Sequence, residues 1–195
     1  MKRLFVALHF QPHPALLQLL SDLQLKLSHE RISWMNPSNI HLTLKFLGET
    51  DEKRLPEITH AINNSIFNQL PINILFDKTG IFGSRYDPRV IWLGSKDNNS
   101  SLQLLASRLL DNFDSIGFLR DRQNFVPHLT LGRIKGLNDK RYFQDVISNI
   151  PDKVYQETVA TEIILFESIL RKEGPLYLVQ SRHPFKSDGI ASETA

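Results

Sequence analysis

The sequence predicts an α+β protein in which a mainly antiparallel sheet carries helices on its outer faces. Short apolar segments with a period of two predict strands, and leucines at helical spacing predict helices between them. Several strands follow one another without an intervening helix, which favours antiparallel pairing. The tetrapeptide HLTL occurs twice, at 41–44 and at 128–131. This repeat predicts a bilobal molecule with two pseudo-symmetric lobes and a central cleft.

The first half of the chain is predicted to alternate strands and helices. Proline fits the first turn of a helix, where backbone amides have no partner, so Pro12 and Pro14 predict a helix start. Gly48 is predicted to end one strand, and Pro71 to begin another extended segment. The predicted order is a strand at 3–10, a helix from about 12 to 28, a turn at 34–38, a strand at 40–47, a helix from about 51 to 68 and an extended segment at 71–82.

The second half is predicted to contain the same kinds of element and to complete one domain. The predicted order is a strand at 89–94, a helix from about 100 to 115, a strand at 125–134, a helix at 138–149, an extended stretch at 154–170 and a strand at 176–181. No low-complexity linker divides the chain, so residues 1–185 are predicted to form a single bilobal domain. Residues 186–195 have little apolar content and are predicted to be a disordered tail.

The composition is that of a globular domain and excludes several classes of site. Of 195 residues, 41% are hydrophobic and 23% are charged, and the formal net charge is +2. The absence of cysteine excludes a disulfide framework, a thiolate metal site and a cysteine nucleophile. No apolar run approaches the ~20 residues of a membrane-spanning helix, so we expect no membrane partner. We expect a cytoplasmic monomer.

The repeat has a structural part and a chemical part. At the same offset as HLTL, the chain has DEKR at 51–54 and NDKR at 138–141, which predict helix starts capped by Asp51 and Asn138. Because side chains alternate between the faces of a strand, the two leucines of each HLTL are predicted to face the core. The histidine and threonine then lie together on the opposite face. Each lobe is therefore expected to present one imidazole and one hydroxyl to the cleft.

Two such pairs suit acid–base catalysis at a phosphate. Across a cleft, one of His41 and His128 can accept a proton while the other donates one, because imidazole titrates near neutral pH. The hydroxyls of Thr43 and Thr130 can donate hydrogen bonds to negatively charged, non-bridging oxygens. Each copy offers only one candidate metal ligand, and no HExxH motif accompanies it, so we expect no metal. The remaining five histidines are predicted to be surface or capping groups.

Arg133 is a further candidate for a phosphate contact. It follows His128 by five residues, and in a regular strand this odd offset would place it on the other face. Gly132 lies between them and can host a β-bulge that turns the arginine back toward the cleft. A guanidinium there would clamp a phosphate.

Two HxTx motifs about 90 residues apart resemble those of the 2H phosphoesterase superfamily. Within it, the chain resembles the bacterial RNA 2',3'-cyclic phosphodiesterases, once described as 2'-5' RNA ligases. The resemblance covers nearly the whole chain and is carried by five blocks in the same order, namely RLFVAL, NIHLTLKFLGE, GIFGSRYDPRVIWLG, FVPHLTLGRI and ESILRKEGPLYLV. It implies a bilobal fold and the metal-free, cofactor-free hydrolysis of a terminal RNA 2',3'-cyclic phosphate to a 2'-phosphate.

The resemblance also implies roles for individual residues. His41 matches the proton donor and His128 the proton acceptor, whereas the symmetric repeat alone does not say which histidine does which. Thr43, Thr130 and Arg133 match phosphate-contacting positions. Two aromatic residues are candidates for stacking on a base or for ordinary core packing, namely Phe82 and Phe125.

Two other functions stay open at this point. One is a different enzyme of the same superfamily, either a ligase that makes 2'-5' linkages or a 2'-5' phosphodiesterase, and product analysis separates these. The other is a non-catalytic RNA-binding module with a degenerate site. The two intact histidines disfavour this alternative. If the histidines act as an acid and a base, kcat/KM follows a bell-shaped pH profile with its top near neutrality.

Overall fold

A computed structural model describes residues 1–120, 125–172 and 174–186. These residues form ten strands, four α-helices and two 3₁₀ turns. Of the tail predicted at 186–195, only Lys186 is among the described residues. Its backbone NH donates to the carbonyl of Gln69 at 2.7 Å.

The strands and helices alternate along the chain. The strands are β1 (Lys2–His9), β2 (Arg31–Trp34), β3 (His41–Thr50), β4 (Ile72–Phe76), β5 (Lys78–Gly83), β6 (Pro88–Gly94), β7 (His128–Gly136), β8 (Gln156–Ala160), β9 (Glu162–Ile169) and β10 (Leu176–Pro184). The helices are α1 (Pro14–Lys26), α2 (Leu55–Ser65), α3 (Ser100–Ser115) and α4 (Lys140–Ser148), with 3₁₀ turns at Pro37–Asn39 and Glu52–Arg54.

Eight strands form one sheet that crosses both lobes in the order β10-β9-β1-β3-β7-β6-β5, with β2 beside β7. Strands β4 and β8 form a separate two-stranded sheet. All pairings between the described strands are antiparallel, which confirms the predicted fold class. The two lobes meet at β3 and β7, the strands that begin with HLTL, through the residue pair Leu42–Leu129.

The strand order is the same on both sides of this seam. From the seam outward, β3 is followed by β1 and β9, and β7 is followed by β6 and β5. In one lobe the HLTL strand β3 pairs with β1, and helix α1 lies between them in the sequence. In the other lobe the HLTL strand β7 pairs with β6, and helix α3 lies between them. The interpretation of this order as an internal duplication within residues 1–185 stays a prediction.

The core lies on one face of the large sheet. All four helices contribute buried apolar side chains to one continuous cluster there. The four leucines of the two HLTL segments belong to it and are at most 4% exposed. On the opposite face of the first lobe lies a smaller apolar cluster of Phe5, Ala7, Ile164 and Phe166. Helices therefore cover one face, and the other is left open as the cleft.

Several predicted boundaries are wrong for identifiable reasons. Gly48 does not end β3, because it adopts a φ of 72° inside a bulge opposite Leu4, and the strand continues to Thr50. The predicted segment 71–82 is two strands, since the chain changes sheets at Asp77. The carboxylate of Asp77 accepts the backbone NH of Lys96 at 2.9 Å. The stretch 154–170 is divided in the same way at Thr161, between β8 and β9.

Two further differences concern β2 and a helix cap. Residues 31–34 form a strand that the sequence did not predict, because it is only four residues long and pairs with β7, some 100 residues away. The cap of α4 is Asp139, whose carboxylate accepts the NH of Tyr142 at 2.9 Å, and not Asn138. Asp51 caps its 3₁₀ turn as predicted.

Candidate active site

The two HLTL segments lie side by side on the open face of the sheet. Their leucines are buried toward the helices, and the histidine and threonine of each copy are half-buried on the other face. Because the two strands are antiparallel about the Leu42–Leu129 pair, each histidine lies beside the threonine of the other copy. The structure thus brings together His41, Thr43, His128 and Thr130.

The backbone fixes both imidazoles in the same way. His41 Nδ1 lies 2.6 Å from the carbonyl oxygen of Asn39, and His128 Nδ1 lies 2.7 Å from that of Val126. In each copy this carbonyl belongs to the residue two positions before the histidine. A carbonyl only accepts hydrogen bonds, so Nδ1 carries the hydrogen and donates it. Nε2 is therefore the nitrogen left to accept or donate a proton in the cleft.

Burial lowers the pKa of both histidines. For His41 the desolvation of the charged ring is the largest cause, the hydrogen bond to Asn39 opposes it, and the pKa is about 4. The charges of His9, Arg133 and His128 lower it further. For His128 burial again acts first, and the charge of Arg133 adds to it. The free cleft therefore holds two neutral imidazoles at pH 7, and a bound anion would raise both pKa values.

Arg133 faces the cleft because β7 contains a bulge. Trp92 pairs with Thr130 and Ile91 pairs with Gly132, so Leu131 is the extra residue. The side chain of Arg133, opposite Val90, then shares the face of Thr130. The bulge expected beside Gly132 is present. The charge of Arg133 acts on both catalytic candidates, since it lowers the pKa of each histidine after the larger effect of burial.

The first copy contains the same bulge, which the sequence pattern does not predict. Ala7 pairs with Thr43 and Val6 pairs with Lys45, so Leu44 is the extra residue. As a result, Phe46 lies on the cleft face, with its ring centroid 6.0 Å from that of Phe5. In each copy, the fifth residue after the histidine therefore reaches the cleft. The backbones match, but only the second copy supplies a cation there.

Aromatic rings pack against both histidines. The Phe82 ring lies 4.7 Å from the His128 ring at 86°, and the Tyr177 ring lies 5.2 Å from the His41 ring at 88°. Phe5 contacts His41 from another side, with 5.0 Å between the centroids. Phe125, in contrast, packs against the main apolar core. The structure thus places Phe82 in the cleft, beside His128. Phe125 packs in the core, which was the second of the two roles considered for it.

The sequence pattern does not predict the two aromatic residues that lie beside His41. Phe5 gave one signal, because β1 is apolar on both faces and one face had to be covered by something other than the helices. Tyr177 gave no local signal, since it follows a turn at the far end of the chain and reaches the cleft through the pairing of β10 with β9. Burial raises the pKa of Tyr177, and the charge of Arg133 opposes this rise.

The other histidines follow the prediction with one exception. His13 caps α1 through Nδ1, and His9, His29 and His60 are exposed. His183 is buried instead, with 4% of its surface exposed. Its Nδ1 lies 2.7 Å from Asn63 Oδ1 and its Nε2 lies 2.8 Å from Ser181 Oγ. This contact ties β10, which carries Tyr177, to α2.

Two open cavities adjoin Arg133. One of about 570 Å³ lies between β2, the 3₁₀ turn at Pro37–Asn39 and the β9–β10 turn, and Tyr177 lines it. The other, of about 680 Å³, lies beyond Arg133 toward the start of β6 and the end of β7. Within residues 1–120, 125–172 and 174–186, no three His, Asp or Glu side chains are grouped to hold a metal ion. None of the helices described is both long and apolar enough to cross a membrane.

A two-lobed antiparallel fold that presents one histidine and one threonine from each lobe defines a 2H phosphoesterase. The chain belongs to the LigT-like phosphoesterase family, whose model matches residues 10–92 and again 93–177. The RNA 2',3'-cyclic phosphodiesterase of Methanocaldococcus jannaschii is 33% identical over 177 residues, covering 91% of this chain and 97% of that protein.

Solved structures have the same fold. A protein of Thermus thermophilus has a TM-score of 0.74 at 24% identity, covering 95% of this chain and 99% of that one. Escherichia coli LigT, crystallised with 3'-AMP, has a TM-score of 0.71 at 21% identity, covering 95% and 98%. The two-lobed architecture is therefore that of the LigT structures.

Proposed function

We propose that the protein hydrolyses the terminal 2',3'-cyclic phosphate of RNA to a 2'-phosphomonoester by two-histidine acid–base catalysis. The observation that carries the proposal is the pair of equivalent imidazoles, each with Nδ1 bonded to a backbone carbonyl and Nε2 left to the cleft. The names of the curated relatives support the substrate, since several are RNA 2',3'-cyclic phosphodiesterases. The 3'-AMP bound to E. coli LigT supports a nucleotide ligand for this fold.

In the proposed reaction, protons pass through the two Nε2 atoms. His128 Nε2 accepts a proton from the water that attacks phosphorus. The bond between phosphorus and the 3' oxygen then breaks, and His41 Nε2–H protonates that oxygen as it leaves. The assignment of donor and acceptor rests on the family resemblance. Because burial holds the pKa of His41 near 4, this ring needs the negative charge of the substrate to keep its proton at neutral pH.

The neighbouring side chains are proposed to hold the phosphate and the nucleoside. The hydroxyls of Thr43 and Thr130 donate to the non-bridging oxygens, and Arg133 neutralises their charge. Phe82 stacks on the base or the ribose at the His128 side. Phe125 supports the second lobe through the core, and its direct contact with substrate stays a prediction.

Product analysis tests this proposal. We expect the protein to convert a nucleoside 2',3'-cyclic phosphate to the 2'-phosphate in excess EDTA, because the proposed proton transfers use imidazoles and no metal ion. Chromatography against both isomers identifies the product. The 3'-phosphate would contradict the proposed leaving group. Loss of turnover in EDTA, restored by one divalent ion, would contradict the metal-free mechanism. Cleavage of a 2'-5' dinucleotide in preference to the cyclic phosphate would favour the related phosphodiesterase activity.

A further inference from the structure

A groove rich in positive charge runs from the cleft along the second lobe. We define the basic groove by its four cationic lining residues, Arg89, Arg133, Lys135 and Lys140. The one carboxylate among its lining residues is Asp87, which Arg89 bonds at 3.1 Å. The groove is an open cavity of about 680 Å³. Its net positive charge marks it as a surface for an anion.

The basic groove is continuous with the candidate active site. Arg133 belongs to both, since the bulge in β7 turns it to the cleft face. A second irregularity follows, because Arg31 of β2 pairs with Gly136 and Ile32 pairs with Ile134, which leaves Lys135 as the extra residue. The guanidinium of Arg31 lies over Gly136, and a side chain there would have to displace it. Arg133 and Lys135 thus follow one another outward along β7 from the cleft, and Arg89 of β6 and Lys140 of α4 line the same groove.

The wall of the basic groove is held in place by hydrogen bonds. The loop between β5 and β6 is tied to α4, because Lys140 Nζ donates to the Tyr86 carbonyl at 3.0 Å and Gln144 Nε2 donates to the Arg85 carbonyl at 2.7 Å. Within the loop, the Ser84 hydroxyl accepts the NH of Asp87 at 3.0 Å. These hydrogen bonds therefore fix the position of the loop that forms the groove wall.

Helix α4 begins beside the basic groove. Its first turn contains no acidic residue and begins with Lys140 and Arg141. Cations at a helix N-terminus are unfavourable because the macrodipole is positive there. The N-cap Asp139, which corresponds to Glu52 of the first half, offsets these cations because its carboxylate accepts the NH of Tyr142 at 2.9 Å. Lys140 therefore adds positive charge to the basic groove at a helix start that Asp139 stabilises.

An exposed aromatic ring stands at the rim of the groove. Tyr86 is 68% exposed, and the Arg85 guanidinium lies 4.7 Å from its ring centroid. Aromatic rings beside a line of cations are typical of surfaces that bind single-stranded nucleic acid, where the cations follow the phosphates and the rings stack on bases.

We propose that the basic groove binds the phosphodiester backbone of the RNA nucleotides that precede the cyclic phosphate, with Tyr86 as a stacking platform. This inference rests on the proposed function and defines its substrate as a polynucleotide end and not a free cyclic mononucleotide. The contacts are made to phosphates, so they carry no sequence preference. They also make the affinity depend on salt.

The experiment compares two substrates, a 2',3'-cyclic mononucleotide and a single-stranded oligoribonucleotide of about ten nucleotides with the same cyclic end, a length within the range of single-strand sites. In wild type we expect kcat/KM to be at least ~10-fold higher for the oligonucleotide. Lys135→Ala with Lys140→Ala lowers this ratio on the order of 10-fold. It also reduces the slope of log(kcat/KM) against log[salt] by roughly 1.4, since each phosphate contact on a single strand contributes about 0.7. Lys26→Ala with Lys153→Ala, two exposed lysines outside the groove lining, removes the same charge and serves as the control.

Several outcomes separate this inference from the proposed function. The proposed role of the basic groove is contradicted if wild type has equal kcat/KM for both substrates, or if the groove variant has an unchanged ratio. Neither result contradicts the proposed hydrolysis. If neither substrate reacts, fluorescence anisotropy still measures binding of the labelled oligonucleotide. Equal affinity of the groove variant and wild type would then contradict the proposed role of the groove. Because Lys140 also holds the Tyr86 loop, Lys135→Glu alone provides a second variant. Its exposed side chain can change without loss of the fold, and an unchanged salt slope in Lys135→Glu contradicts the inference.

Discussion

Replacing either His41 or His128 by alanine lowers kcat/KM for the cyclic phosphate by on the order of 10²–10⁴-fold, the usual contribution of one general acid or base. Each change removes the Nε2 atom that holds a proton in the proposed reaction. The kcat/KM of the double variant should be about the same as that of the slower single variant, because either loss already interrupts the proton transfer. Steady-state kinetics on purified protein measure all three.

The fold should survive both changes, since the packing of these strands is carried by Leu42 and Leu129 and their neighbours on the other face. Circular dichroism and thermal unfolding check this. His60→Ala, at an exposed position of α2, is the matched control and should retain wild-type kinetics. Near-wild-type turnover in a folded His41→Ala or His128→Ala variant would refute the two-histidine mechanism.

Arg133→Ala is expected to have the second largest effect. A charge-assisted hydrogen bond contributes about 1.5–3 kcal/mol, which corresponds to a loss of roughly 10–150-fold in kcat/KM. Arg133→Lys keeps the charge but loses the planar fork, so its loss should be smaller. The charge of Arg133 also contributes, after burial, to the lowered pKa of both histidines. Without it, the pH profile of kcat/KM should shift to higher pH.

The shift in the profile separates a direct role of Arg133 from a structural one. Arg182→Ala is a suitable control, because that exposed arginine pairs with Glu162 at the far edge of the sheet. If Arg133→Ala left both kcat/KM and the pH profile unchanged, the guanidinium would have no part in binding the phosphate.

The placement of the two histidines and two threonines could be predicted because it is local to two strands. Alternation within HLTL places the histidines and threonines on one face and the leucines on the other, and the structure has this arrangement. The bulge beside Gly132 could be predicted because glycine is a local signal for it. In the first copy, the position equivalent to Gly132 is Lys45, so the equivalent bulge has no glycine to indicate it. Lys45 is 4% exposed, with Nζ 2.6 Å from the carbonyl of Leu119.

The rest of the site depends on contacts between distant parts of the chain. Tyr177 reaches His41 only because β10 pairs with β9 and β9 pairs with β1. The short strand β2 exists because β3 and β7 separate beyond Leu42–Leu129 and leave the edge of β7 to be paired. No periodicity within a single segment contains this information. The lowered pKa of the histidines likewise follows from burial, which the sequence pattern alone did not give.

The pH profile of kcat/KM tests the two-histidine mechanism most directly. This parameter reports the free enzyme, and the reactive form has one neutral and one protonated imidazole. Burial lowers both pKa values from 6.5, that of His41 to about 4, so the expected top lies below pH 6.5 and not near neutrality as the sequence alone predicts. The two apparent pKa values belong to the coupled pair. The kcat profile should lie at higher pH, because the bound anion raises both pKa values. A bell with its top below pH 6.5 is the predicted result; a kcat/KM that rises to a plateau at alkaline pH would contradict the mechanism.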